Sequence, residues 1–246
     1  MKAAGLAMLV LLAGCASFSP DGGFGTVESA VRNRIAQEAK WLRSEEDANS
    51  VRARVKELLA QPLGAEAAAQ IALLNNPGLQ ASYAEMGIAE ADLVQASRWS
   101  GPKLSFARLR HGAGGEADYE RSVFIDLLGL ITIPLSTRAE AKRFDASRTR
   151  AAGEALRVAL EARKAWFGAV ATQESARYME QVKEAAEASA ELARRMAAVG
   201  NWSKLNQARE QAFYAEATAQ VARARQSSVA ARERLTRLMG LWGEEL

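Results

Sequence analysis

The sequence predicts a mainly α fold in which long antiparallel coiled-coil helices carry one β-hairpin, and three observations predict it. Residues 136–199 contain no proline and only two isolated glycines, Gly153 and Gly168, so one helix of roughly 60 residues can run through them, nearly 100 Å at about 1.5 Å per residue. Apolar and small residues recur at heptad spacing on both sides of Gly200. The strand-like rhythm of the chain, period two rather than 3.6, is confined to about 102–134, ahead of the long helix.

The elements follow in order from the N-terminus. Met1 and Lys2 lead into an apolar run at 3–12 and then into Leu12-Ala13-Gly14-Cys15, the parts of a secretory signal in sequence. The run is shorter than the roughly 20 residues a spanning helix needs, so residues 1–14 read as an export signal. Cys15 is the only cysteine, which excludes an intrachain disulfide. Residues 15–25, with small side chains, several glycines and one proline, have the composition of a flexible tether.

Residues 26–64 read as two short helices, about 26–42 and 45–60, the second marked by Val51, Val55, Leu58 and Leu59 and broken by Gln61-Pro62-Leu63-Gly64. From 65 to about 97 the chain is helix-prone, interrupted by the turn or kink signal Asn75-Asn76-Pro77-Gly78. Leu79, Tyr83, Met86, Ala89 and Leu93 then return at steps of three and four.

Strand rhythm occupies 103–111 and 119–133, joined by a glycine-rich loop, with Pro134 closing the second strand. Tyr119, Val123, Ile125, Leu127, Ile131 and Ile133 share one face, and Glu120, Ser122, Asp126 and Thr132 the other. Such alternation suits a barrel strand with lipid outside and water inside; a hairpin lying on a soluble core has the same pattern. Trp99, beside Gly101-Pro102, is placed for a membrane boundary or for core packing.

The long helix, about 136–199, carries a distal seam of Tyr178, Val182, Ala185, Ser189, Leu192, Met196 and Val199, and Trp166 and Phe167 read as packing residues. A return helix, about 203–240, repeats the spacing with Tyr214, Ala217, Val221, Ala224, Ser228, Ala231, Leu235 and Leu238. Gly200 is placed to end the first helix and Ser203 to cap the second.

Composition narrows the function class. The chain is 49% hydrophobic and 25% charged with five prolines, which predicts a folded body. Its net charge of +3 is spread along helices without a basic block, which argues against nucleic acid as a partner. His111 is the only histidine, so a Ser-His-Asp triad, a Cys-His pair or a multi-histidine metal site cannot be assembled, and no enzyme is expected. The glycines at 112–115 lack the lysine and helix of a phosphate loop.

Several motifs carry a resemblance. Leu12-Ala13-Gly14-Cys15 resembles the lipobox of bacterial lipoproteins, which implies a lipid on Cys15. Ala16 after it implies transfer to the outer membrane. Ile71-Ala72-Leu73-Leu74-Asn75-Asn76-Pro77-Gly78-Leu79 resembles the lead-in to the first barrel helix of the TolC family of outer-membrane efflux proteins. Ile131-Thr132-Ile133-Pro134-Leu135 is similar to that family's strand-to-helix exit, and 196–205 with Gln207-Ala208-Arg209 to its periplasmic tip, where Asn201 and Asn206 depart from the usual residues. Together the stretches make 65–246 resemble a single TolC-like repeat, part of an α/β-barrel channel.

The resemblance implies passive export through a tripartite efflux system, with an inner-membrane pump and a periplasmic adaptor as partners and no cofactor beyond the lipid. It implies adaptor docking at Val199, Gly200, Asn201, Trp202 and Ser203, an exposed Trp202 serving as anchor or as a staple of the turn. It also implies that Tyr119, Val123, Ile125, Leu127 and Ile131 face outer-membrane lipid. In that family the repeat occurs twice per chain and three chains close one barrel. A single repeat therefore implies a homo-oligomer of more copies, assembly with a second-repeat chain, or a truncated half. A periplasmic adaptor and a structural coiled-coil lipoprotein without channel activity are the other readings.

Overall fold

The computed structural model describes residues 17–110 and 117–242. The expectations for residues 1–14, Cys15, His111 and the loop at 112–115 lie outside the described residues. In chain order the protein forms α1 (Gly25–Ile35), α2 (Glu45–Leu59), α3 (Ala65–Asn75), α4 (Pro77–Ala96), β1 (Lys103–Arg110), β2 (Ala117–Phe124), α5 (Leu127–Ala198) and α6 (Lys204–Leu238). The fold is mainly α with an antiparallel two-stranded sheet, as the sequence predicts.

The chain divides into two compact units, one of residues up to Ser29 with Ala81–Ala152, the other of Ala30–Gln80 with Gly153 onward. In the first unit, the segment expected to be a flexible tether is held down from Ser19. The buried Glu90 carboxylate accepts the Ser19 backbone N–H at 2.6 Å and the Ser19 hydroxyl as well. Asp21 accepts the N–H groups of Gly23 and Gly25, which holds its carboxyl below the ordinary carboxylate range, the Gly25 bond contributing most. Gly23 has φ +76°, and a Cβ there would lie 2.6 Å from the Phe144 ring. Phe24 meets the buried Tyr83 edge to face at 5.0 Å.

The second unit is built around Val51 and Val55 of α2, Ala68, Ile71 and Leu74 of α3, and Leu235, Met239 and Leu241, with Trp166 of α5 packed against them. Of the two residues expected to pack, Trp166 does so, its indole N–H donating to the Leu63 carbonyl at 2.7 Å, whereas Phe167, one position on around the helix, is exposed. Helix α1 stops at Ile35, short of the expected Leu42, at Ala36 with φ +52°. The backbone beyond it pairs with two glutamines instead. Gln70 bonds both the N–H and the carbonyl of Glu38, and Gln80 bonds the Leu42 N–H and the Lys40 carbonyl.

The Asn75-Asn76-Pro77-Gly78 signal separates α3 from α4 and joins them to the end of α6. Pro77 takes the first helical position of α4, where its missing N–H costs nothing. Asn76 Oδ1 accepts the Leu79 N–H at 3.0 Å as the cap of α4, and its Nδ2 donates to the Leu238 carbonyl at 2.8 Å. Asn75 Nδ2 donates to the Gly240 carbonyl at 2.9 Å. Gly240, at φ +70°, closes α6 with the Leu241 N–H reaching back to the Thr236 carbonyl.

Candidate functional site at the hairpin and the helical turn

Strands β1 and β2 pair antiparallel, from Lys103 opposite Phe124 to Arg110 opposite Ala117. Pairing sets Leu104 against Val123, Phe106 against Arg121 and Arg108 against Tyr119, so these six residues share one face. Leu104, Phe106, Val123 and Tyr119 are 79, 67, 62 and 51% exposed, a row of large apolar side chains left open to the surroundings. Leu104 and Phe106 were not among the sequence candidates, although the alternation of β1 marks them as plainly as that of β2 marks Tyr119 and Val123. Trp99 is exposed too, so of its two readings core packing falls away.

The second strand ends earlier than expected. Ile125 lies between β2 and α5, while Leu127 and Ile131, expected on the strand, are helical, and Pro134 lies inside α5 rather than closing a strand. The pairing register supplies the reason. Carried onward, it would set Ile125 against Pro102 and Leu127 against Ser100, positions that offer a proline and the approach to α4. Among the described residues a strand there has no partner, whereas a helix satisfies its own backbone. Asp126 starts that helix by accepting the Gly129 N–H at 2.7 Å. Ile125, Leu127, Leu128 and Ile131 remain exposed all the same, so the apolar surface extends past the sheet. At the other side of this region the Ser136 and Thr137 hydroxyls donate to the Ala96 carbonyl at the end of α4.

The helical turn belongs to the second unit. Gly200, at φ +81°, ends α5 with its N–H on the Ala197 carbonyl at 3.1 Å and the Asn201 N–H on Met196 at 2.9 Å, the paired bonds of a left-handed C-cap. Ser203 caps α6 by accepting the Asn206 N–H at 3.2 Å. The two caps turn the chain back within a few residues. Val199 and Leu205 stand 71 and 60% exposed on either side of the half-buried Trp202, and Asn201 and Ser203 are exposed. Leu205 was missed as a candidate.

The two helices behind the turn differ in how they meet the expected seams. On α6, Ala217, Val221 and Leu235 are buried and Tyr214, Ala224, Ser228, Ala231 and Leu238 half-buried, as the heptad predicts. On the distal part of α5 the buried residues are Ala186, Ala190 and Ala193; of the expected seam Val182, Ser189 and Met196 are half-buried, while Tyr178, Ala185, Leu192 and Val199 are exposed. Alanine lets the backbones approach closely, and the larger side chains are turned outward by the same rotation. Across the pair Ser189 donates to Glu210 at 2.7 Å and Arg225 pairs with Glu180. Near the turn Glu191 takes hydrogen bonds from Arg194 and Arg195, which pull its carboxyl down to about 2.

Among the described residues no helix is long and apolar enough to cross a membrane, and no group of three or more His, Cys, Asp or Glu side chains could hold a metal ion.

This arrangement, a strand hairpin leading into a very long helix that turns back on itself, is the fold of TolC-like outer-membrane channels. Solved structures similar to the chain include CusC, described as undergoing conformational changes accompanying folding and transmembrane channel formation, at TM-score 0.59, 15% identity, 78% of this chain and 44% of that one. A membrane protein from Pseudomonas aeruginosa matches at TM-score 0.58 and 20% identity over 76% of this chain and 45% of its own. The Campylobacter jejuni CmeC outer membrane channel matches at TM-score 0.58 and 18% identity over 86% and 46%. The chain thus spans somewhat under half the length of each of these structures, and the likeness is one of fold. No family model and no curated protein matches the sequence.

Proposed function

We propose that the chain is a wall segment of an outer-membrane channel that passively exports solutes in a tripartite efflux system. The hairpin stands in the outer membrane, further strands come from other copies or from a second-repeat chain, and a periplasmic adaptor linked to an inner-membrane pump docks at the turn. In this reading residues 1–14 are removed on export and Cys15 carries the lipid. Val199, Gly200, Asn201, Trp202 and Ser203 form the docking surface, with Leu205 beside them. The lipid-facing residues are Tyr119 and Val123 on the strand, continued by Ile125, Leu127 and Ile131.

One observation carries the proposal. Leu104, Phe106, Tyr119 and Val123 form an exposed apolar face on a two-stranded sheet whose outer edges are unpaired among the described residues, and a β-barrel in lipid meets both needs at once. The hairpin also lies between helices, whereas an adaptor would place β-rich segments on both sides of its helical pair.

Membrane fractionation of the Cys15→Ser protein tests the proposal. Retention in the outer membrane after alkaline washing is expected, because inserted hairpins hold the chain without the lipid. Complete release into the periplasm would contradict an inserted channel and leave a lipid-anchored coiled coil.

A further inference from the structure

The apolar face of the hairpin carries two arginines, and their placement is ordered. Arg121 lies opposite Phe106 and Arg108 opposite Tyr119, so the arginines are diagonal neighbours, about 7–8 Å apart by the spacing of an antiparallel pair. Each guanidinium stacks on an aromatic ring, Arg108 on Tyr119 and Arg121 on Phe106, both at 5.6 Å from the ring centre. The rings are themselves 6.2 Å apart. The four side chains form one array of two cations and two rings.

Neither guanidinium has a carboxylate partner among the described residues. Four arginines of α5 offer a contrast: Arg143, Arg157, Arg177 and Arg194 each pair with a glutamate one turn away. Glu120 on β2 is opposite Ala107, on the other face of the sheet. Among the described residues the array therefore presents two positive charges without a counter-ion, on a face otherwise made of Leu104, Phe106, Tyr119 and Val123.

A cation on a lipid-facing strand is costly at the middle of a bilayer and nearly free at its interface. Arg108 and Tyr119 stand toward the loop end of the hairpin, while Leu104 and Val123 stand at the end continuous with exposed Ile125, Leu127 and Ile131. The face is thus apolar at one end and cationic with aromatics at the other. Tyrosine and stacked arginine are side chains that favour the headgroup level.

We infer that Arg108 and Arg121 bind the phosphate of an anionic lipid headgroup, and that this site fixes the depth of the hairpin in the membrane. A guanidinium meets phosphate oxygens through two parallel N–H bonds, and two such groups on a diagonal can hold one phosphate between them while the rings cover the glycerol and upper acyl chains. The inference rests on the reading of this face as lipid-facing.

The test uses the full-length protein in neutral detergent, with short-chain phosphatidylglycerol, short-chain phosphatidylcholine and inorganic phosphate as probes, bound lipid being counted by native mass spectrometry. Retention of phosphatidylglycerol roughly tenfold above phosphatidylcholine is expected, as for a charge-assisted phosphate contact. The Arg108→Gln/Arg121→Gln protein should lose that preference and Arg108→Lys/Arg121→Lys keep part of it, with circular dichroism confirming an unchanged helix content. Equal retention of the two lipids by the native chain, or an unchanged preference in the glutamine variant, overturns the inference while leaving the membrane hairpin intact. Displacement of the lipid by millimolar inorganic phosphate would also overturn it, because the site would then be one for free phosphate. Retention of neither lipid would instead sink the lipid-facing reading on which it rests.

Discussion

Asn76 and Leu238 lie far apart in sequence, yet the Asn76 side-chain amide donates to the Leu238 carbonyl at 2.8 Å, so one asparagine starts α4 and closes the end of α6. Asn76→Ala removes both bonds and should cost about 1–3 kcal/mol in urea unfolding. Asn76→Ser keeps a capping oxygen and should cost less. Equal, negligible effects would show that neither bond matters.

Two glycines should respond with opposite signs. At Gly240 a Cβ would fall 2.3 Å from the Asn75 carbonyl oxygen and the backbone is left-handed, whereas at Gly153, exposed within α5, a Cβ meets nothing. Gly240→Ala should lower stability by about 1–2 kcal/mol or more through strain alone, and Gly153→Ala should raise it by roughly 0.5–1 kcal/mol through helix propensity. Thermal unfolding of the two variants side by side checks both signs.

The bond from Ser19 to Glu90 predicts a local effect. Glu90→Ala leaves the Ser19 N–H and hydroxyl without their acceptor, so the N-terminal segment should exchange its amide hydrogens at least about tenfold faster. Hydrogen exchange resolved at Ser19 is the measurement, and unchanged protection would mean that the Asp21 turn alone holds the segment.

Glu191 predicts a pH dependence. Its carboxyl, pulled down to about 2 by Arg194 and then Arg195, gains stability from ionisation that is present above its ordinary value of 4.5 and is lost as pH falls from there through about 2. Helix ends near the turn should therefore open more readily at low pH in the native chain than at neutral pH, and Glu191→Gln should flatten that dependence. Because the Glu191 side chain is partly open to solvent, salt should weaken the effect.

Parts of this were legible in the sequence because they are local. The helical turn was marked by Gly200 and Ser203, which act as the two caps, and every seam position named on α6 is buried or half-buried. The α5 seam is legible only in part: Val182, Ser189 and Met196 are half-buried as the spacing predicts, but Tyr178 and Leu192 face outward because the closest packing uses Ala186, Ala190 and Ala193. Alternation through Ile131 suggested strand, but a strand needs a partner and the register runs out at Pro102. The helix start is itself written in the sequence, in Asp126 three residues ahead of Gly129. What holds Ser19, a carboxylate 71 residues away, left no local trace.

If alternation beyond Phe124 reflects a strand that lacks its neighbour, assembly should supply one. Infrared spectra of the protein in outer-membrane vesicles should then show more β-structure than the separate chain in detergent, with a smaller gain for Ile131→Asp. Identical spectra would mean that Ile125, Leu127 and Ile131 keep the structure described here.

The central claim is that the chain forms part of a channel wall, and planar-bilayer recording of the full-length protein, purified from outer membranes with whatever assembles with it, tests that most directly. Discrete, step-like conductance is predicted. A flat baseline from preparations shown by flotation to be inserted in the bilayer would contradict it.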